Sequence, residues 1–311
     1  MTTDEGGTVC AHAPVIVSAS RATDIPAFHA AWFAQRLAKG YAVRQNPFNR
    51  KPVYVSFRNV RVVVFWSKNP LPLIPYLREL DARGIHYYFQ FTLNDYQAEG
   101  LEPGLPPLDE RVDTFRRLAD RIGKERVVWR FDPLILTPRT GTQDLLEKIL
   151  RTGNRLRGYT EQFVFSFVDV AAYRNVRFKL LKETNLFSSQ NIAQAELNNE
   201  QMIALAAGLA RLRERWLSQG WPLRMATCAE PADLQAYGIG HHRCIDAQLM
   251  QRIFASDKEL IAHLSVARKD KGQRKDCGCV NSTDIGTYNT CPHHCAYCYA
   301  NRTKAAVHEN I

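Results

Sequence analysis

Three cysteines near the end of the chain, Cys291, Cys295 and Cys298, are spaced so that their sulfurs can fold around one metal centre. Thiolates are the ligands that iron–sulfur clusters take, and three of them cover three corners of a [4Fe–4S] cubane. The remaining iron would then have no protein ligand and could chelate a small molecule through an amine and a carboxylate. Tetrahedral zinc is the competing reading, because structural zinc sites close with four ligands and His293 or His294 could be the fourth. Four more cysteines, Cys228, Cys244, Cys277 and Cys279, lie upstream. Four thiolates are enough to close a second [4Fe–4S] cluster or a zinc site. The simpler alternative is that Cys228 and Cys244 are small buried residues. Cys10 stands alone.

Of the eight cysteines, five fall between positions 277 and 298, and such clustering points to metal before disulfides. The N-terminus, MTTDEGGTVC, has no basic stretch followed by an apolar one and so does not read as a signal peptide. The longest apolar run, 60–66, is broken by Arg61 and is far too short to span a bilayer. Those features place the chain in the cytoplasm and off the membrane, where structural disulfides are rare. A formal charge of +10 favours anionic partners, such as a phosphate-bearing substrate or nucleic acid. A merely solvated basic surface is the alternative, since the basic residues are spread along the chain.

The elements that must position these groups alternate. Runs rich in β-branched and aromatic residues at 15–20, 61–67, 87–93, 127–131, 163–167 and 223–227 read as buried strands. Helical patterns at 28–39, 73–83, 108–122, 143–155, 199–219 and 246–254 separate or follow them. This alternation predicts an α/β fold with a parallel sheet, either a complete or partial (β/α) barrel of the TIM type or a doubly wound open sheet. Residues 1–268 form the predicted barrel body, and 269–311 the iron–sulfur segment that completes it. The strand ends carry Arg21, Lys68, Asn94, Arg130 and Asp132. In a barrel such positions converge on one rim, where active sites are built. Arg21, Lys68, Arg130 and Asp132 are accordingly candidates for catalysis and Asn94 for holding a cofactor. For each residue alone, starting a loop or capping a helix is the plainer role.

With Tyr297 just before the last cysteine, the CxxxCxxC run resembles the signature of the radical SAM superfamily. The ending Cys295-Ala296-Tyr297-Cys298-Tyr299 is similar to that of its spore photoproduct lyase branch. The whole chain resembles an uncharacterised bacterial domain-of-unknown-function family that carries this motif at its C-terminus. Superfamily members place the loop after their first strand, whereas here it comes last. The resemblance therefore implies a circularly permuted barrel in which 284–290 is the family's first strand and 15–20 its second. It also implies that Ser18, Ser20 and Arg21 stand where the methionyl amino group is held, without the usual Gly-Gly-Glu, and that Tyr297 borders the cofactor. The cofactors implied are a [4Fe–4S] cluster and S-adenosylmethionine, which is cleaved reductively to a 5′-deoxyadenosyl radical. The electron would come from a reductant such as flavodoxin or ferredoxin. The residues themselves leave two other classes open: a metal-stabilised nucleic-acid-binding protein, and an iron–sulfur electron-transfer or redox-sensing protein.

Overall fold

The computed structural model describes residues 1–46, 49 and 51–311. Its strands are β1 (Ile16–Ala19), β2 (Tyr41–Gln45), β3 (Pro52–Ser56), β4 (Val62–Ser67), β5 (His86–Thr92), β6 (Val127–Leu134), β7 (Gln162–Phe167), β8 (Arg224–Cys228), β9 (Ile239–His242) and β10 (Thr283–Asp284). Eight of them form one sheet in the order β10-β1-β4-β5-β6-β7-β8-β9. Every neighbouring pair in it is parallel. β2 and β3 make a separate antiparallel pair.

Side chains alternate across this sheet with the period of two that strand geometry imposes. Val17, Val63, Phe65, Phe89, Trp129 and Phe165 point into a large core shared with the helices before β8. Ile16, Val62, Val64, Tyr88, Val128 and Val164 point the other way, onto the helices Ala247–Ile253 and Lys258–Ser265. Both faces are therefore apolar, as parallel strands covered on each side require. The covering helices show the matching pattern: Leu108–Ile122 buries Val112, Phe115, Leu118, Ala119 and Ile122 along one stripe.

The sheet curls. β5 and β9 are four places apart in the strand order, which in a flat sheet is roughly 19 Å at ~4.8 Å per strand. Yet the Tyr88 hydroxyl of β5 donates to the carbonyl of Cys244, just past β9, at 2.6 Å. The Gln90 amide donates to the same carbonyl at 3.1 Å. Of the expected alternatives the complete barrel is not formed: the sheet is open, because among the described residues the edge strands β9 and β10 do not pair with each other. The physical reason lies in the chain that fills the gap. β10 has only two residues, and the Val280 amide before it donates to the carbonyl of Ile245 at 3.1 Å, putting irregular backbone where a strand pair would be needed.

Two expected helices differ in detail. The stretch predicted at 73–83 begins as a 3-10 helix, Leu71–Tyr76, because Pro72 and Pro75 remove backbone donors; it becomes α-helical only at Leu77–Ala82. The stretch predicted at 28–39 is split at His29 into Ile25–Phe28 and Ala30–Lys39. Among the described residues no helix is long and apolar enough to cross a membrane.

Candidate functional site

The cysteine loop sits at the carboxyl ends of β1, β4 and β5, the side of an open parallel sheet where ligands bind. Asp24, which follows β1, ties it down: His293 Nε2 lies 2.9 Å from Asp24 Oδ2, which also accepts from the Lys68 amide at 2.8 Å. The other oxygen of Asp24 accepts from Ser67 Oγ at 2.7 Å. His29 Nε2 donates to the Thr290 carbonyl at 3.0 Å. From the opposite side, Lys179 Nζ donates to the carbonyls of Cys295 at 2.8 Å and Cys298 at 3.2 Å. Asn301 donates to the Cys291 carbonyl at 2.7 Å.

The Pro/Gly loop at 99–107 forms the third wall. Its Gly104 amide donates to the His293 carbonyl at 3.1 Å, and Leu101 accepts from the Ala296 amide at 2.9 Å. A Cβ at Gly104 would stand 2.7 Å from the carbonyl oxygens of both Pro292 and His293, so only glycine lets the two backbones approach this closely. Glu102, in the same loop, receives Lys68 Nζ at 2.8 Å, Asn94 Nδ2 at 3.1 Å and the hydroxyl of Tyr297. Lys68 and Asn94 also donate to that hydroxyl, at 2.8 and 2.9 Å. Burial alone would raise the Glu102 carboxyl, but Lys68 and Arg111 outweigh it and hold it below its ordinary value. Burial pushes the Tyr297 phenol well up, so the tyrosine keeps its proton and donates it to Glu102.

At the end of β1 the governing residue is Asp284 of β10. It accepts from Ser18 Oγ at 2.9 Å, Ser20 Oγ at 2.7 Å and the amides of Arg21 and Gly286, both at 2.8 Å. The Arg21 guanidinium lies over the Trp66 ring, 5.1 Å from its centroid, and its Nη2 is buried without a hydrogen-bond partner. Burial opposes its charge, and Cys279, Cys244 and Asp284 lie within electrostatic reach of it.

The other four cysteines also meet, on the sheet face opposite the large core. Cys228 at the end of β8 has its sulfur 3.3 Å from that of Cys244, just past β9. The thiols of Cys279 and Cys277 lie close enough to influence Cys244 and each other. The Ile245 amide adds a donor to Cys279 Sγ at 3.3 Å. Arg130, only 3% exposed, donates through Nη1 to Cys244 Sγ and to Gln90 Oε1, each at 3.1 Å, and pairs with Asp132 through its other nitrogens. The hydrogen bond to Cys244, then burial, raises the Cys228 thiol well above its usual range. The bond from Cys279 lowers Cys277 to about 7. Burial followed by the charge of Arg130 lowers His242 to about 3, so this histidine is neutral. Among the described residues no three or more His, Cys, Asp or Glu are arranged to hold a single metal ion. An iron–sulfur cluster makes a different demand, since it distributes its thiolates over several irons.

Residues 16–300 match a family model described as a domain of unknown function, DUF1848. The chain belongs to that family. No curated protein matches the DUF1848 chain. A solved structure from Bacteroides thetaiotaomicron VPI-5482, described as an alpha-L-fucosidase, is 10% identical over 66% of this chain and 83% of that one, with a TM-score of 0.25. A likeness that slight carries no argument.

In this DUF1848 chain Lys68, Asn94 and Tyr297 meet in one buried network behind the cysteine loop, and Ser18, Ser20 and the Arg21 amide bond to Asp284. Arg130 bonds to Cys244 and pairs with Asp132, whose backbone links back to Asn94. Cys10 is exposed. Asp284, Glu102 and Gln90 do much of the holding and were missed. Each is a single polar residue in an otherwise ordinary stretch, so nothing local marks it.

The donor chemistry of the loop fits a [4Fe–4S] cluster. Three thiols come from one eight-residue turn, and the Ala300 amide donates to Cys298 Sγ at 3.3 Å. The loop's backbone is fixed from three sides.

Proposed function

We propose that this chain is an iron–sulfur enzyme of the radical SAM type, its barrel partial and rotated in chain order, acting on an anionic or nucleic-acid-linked substrate. The observation that carries the reading is a three-thiol loop held at the carboxyl ends of β1, β4 and β5 by buried residues from every side. Cys291, Cys295 and Cys298 would hold the [4Fe–4S] cluster. When bound, the cluster with S-adenosylmethionine would supply one-electron bond cleavage and radical chemistry, with the electron drawn from a reductant such as flavodoxin or ferredoxin.

The chain's own residues do the positioning. Lys179 and Asn301 grip the loop by its carbonyls, while Tyr297, Glu102, Lys68 and Asn94 lock its buried side. Lys68 pairs with Glu102, so that buried carboxylate has a counter-charge beside the cysteines. β10, last in the chain, lies parallel beside β1, first in the large sheet, with Thr283 opposite Val17. That adjacency supports the rotated strand order. The formal charge of +10 supports an anionic substrate, whose binding would weaken steeply with salt.

Anaerobic reconstitution tests the reading. The reduced protein should release 5′-deoxyadenosine from S-adenosylmethionine, and Cys291→Ala should release none. Full iron loading with no cleavage would sink the enzymatic reading.

A further inference from the structure

We infer that Cys228, Cys244, Cys277 and Cys279 hold a second iron–sulfur cluster, with all four ligands supplied by the chain and its negative charge offset by Arg21 and Arg130. The inference does not depend on radical chemistry at the cysteine loop.

Three segments distant in sequence bring these sulfurs together: the end of β8, the turn after β9 and the strap before β10. The strap is fixed at both ends. Cys277 donates its amide to the Arg274 carbonyl at 3.0 Å, Asp270 donates to the Cys279 carbonyl at 2.8 Å, and Val280 is bonded to Ile245. Thiols are weak hydrogen-bonding groups, so sulfur–sulfur contacts alone give little reason for gathering four of them in an apolar core.

The cations supply the reason. Arg130 is fully enclosed and spends one of its donors on Cys244 Sγ at 3.1 Å. Arg21 presents a buried Nη2 that has no partner, within electrostatic reach of Cys279, Cys244 and Asp284. Beside four neutral thiols that guanidinium would have Asp284 as a counter-charge but a buried nitrogen with no hydrogen-bond partner, a costly arrangement. Around a cluster the cysteines are thiolates, having released their protons on binding, and the site is anionic. Arg21 then has a further counter-charge, and the Arg130 hydrogen bond to sulfur becomes one of the devices that set a cluster's potential.

The test removes the other site. The full-length chain carrying Cys291→Ala, Cys295→Ala and Cys298→Ala, reconstituted anaerobically, should keep about four irons and about four sulfides per chain. Adding Cys228→Ala and Cys279→Ala should bring both to zero. A triad variant that keeps its circular dichroism spectrum yet binds no iron, or binds zinc alone, would overturn the inference. Because the extra cysteine changes could unfold the chain, a milder variant gives a second reading. Arg130→Met in the triad background should retain iron but require a more negative potential for reduction; an unchanged potential would refute the assigned role of Arg130. Failure of S-adenosylmethionine cleavage in the wild type would leave these iron counts as they are, so the two readings fail separately.

Discussion

The two cysteine groups differ in how the chain assembles them. Cys291, Cys295 and Cys298 come from one short loop, present three sulfurs, and are flanked by a dense polar clamp in which Lys68 and Asn94 each donate to both Glu102 and Tyr297. Cys228, Cys244, Cys277 and Cys279 come from three separate segments, number four, and sit among Ile16, Val64, Tyr88 and Leu249 with arginine as the main polar company. A contiguous loop with three ligands leaves a coordination position open, which chemistry needs. A set drawn from distant segments closes itself and fastens together the parts of the fold that meet at the open seam between β9 and β10.

If that contrast is real, damage to one group should spare the other. The largest effect is expected from Lys68→Met, which leaves the Glu102 carboxylate buried without its nearest cation. Breaking such a pair should lower the unfolding free energy by about 3–5 kcal/mol, measured by urea denaturation. The loop should lose its iron while the four-cysteine group keeps its own, and an unchanged midpoint would show that the clamp carries no load. Tyr297→Phe should cost less, about 1–3 kcal/mol, because it removes one hydroxyl from a network whose other members still pair. On the other side of the sheet, Gln90→Leu deprives the Cys244 carbonyl and Arg130 of a partner and should cost a similar amount. Its signature would be reversed, with iron lost from the four-cysteine group and cleavage of S-adenosylmethionine retained; equal loss from both groups would erase the distinction. Smallest of all is Cys10→Ser, an exposed site where stability should move by less than about 0.5 kcal/mol and iron content not at all.

The same contrast marks what could be read from the sequence. The triad was visible because its spacing is local, and the six principal strands because each is a continuous apolar run between helical patterns. β9 was not, since Ile-Gly-His-His has neither a run nor an alternation to reveal it. β10 is two residues long and exists only through its pairing with β1. The four upstream cysteines are expected together from their number and positions, but not the curl of the sheet that gathers them on the face opposite the large core. Asp284, Glu102 and Gln90 escaped for the same reason: each acquires its role from partners tens or hundreds of positions away. Lys68 and Asn94 were found at strand ends, but their part in the clamp depends on Glu102, which no periodicity singles out. Whether the sheet closes is not legible, since strand alternation predicts a parallel sheet equally well whether or not its edges meet.

Electron paramagnetic resonance of the reduced protein, recorded with and without S-adenosylmethionine, tests the central claim most directly. An open iron at the Cys291 loop predicts that the added ligand changes the wild-type spectrum and leaves that of the triad-to-alanine variant untouched. A wild-type spectrum indifferent to S-adenosylmethionine would contradict it.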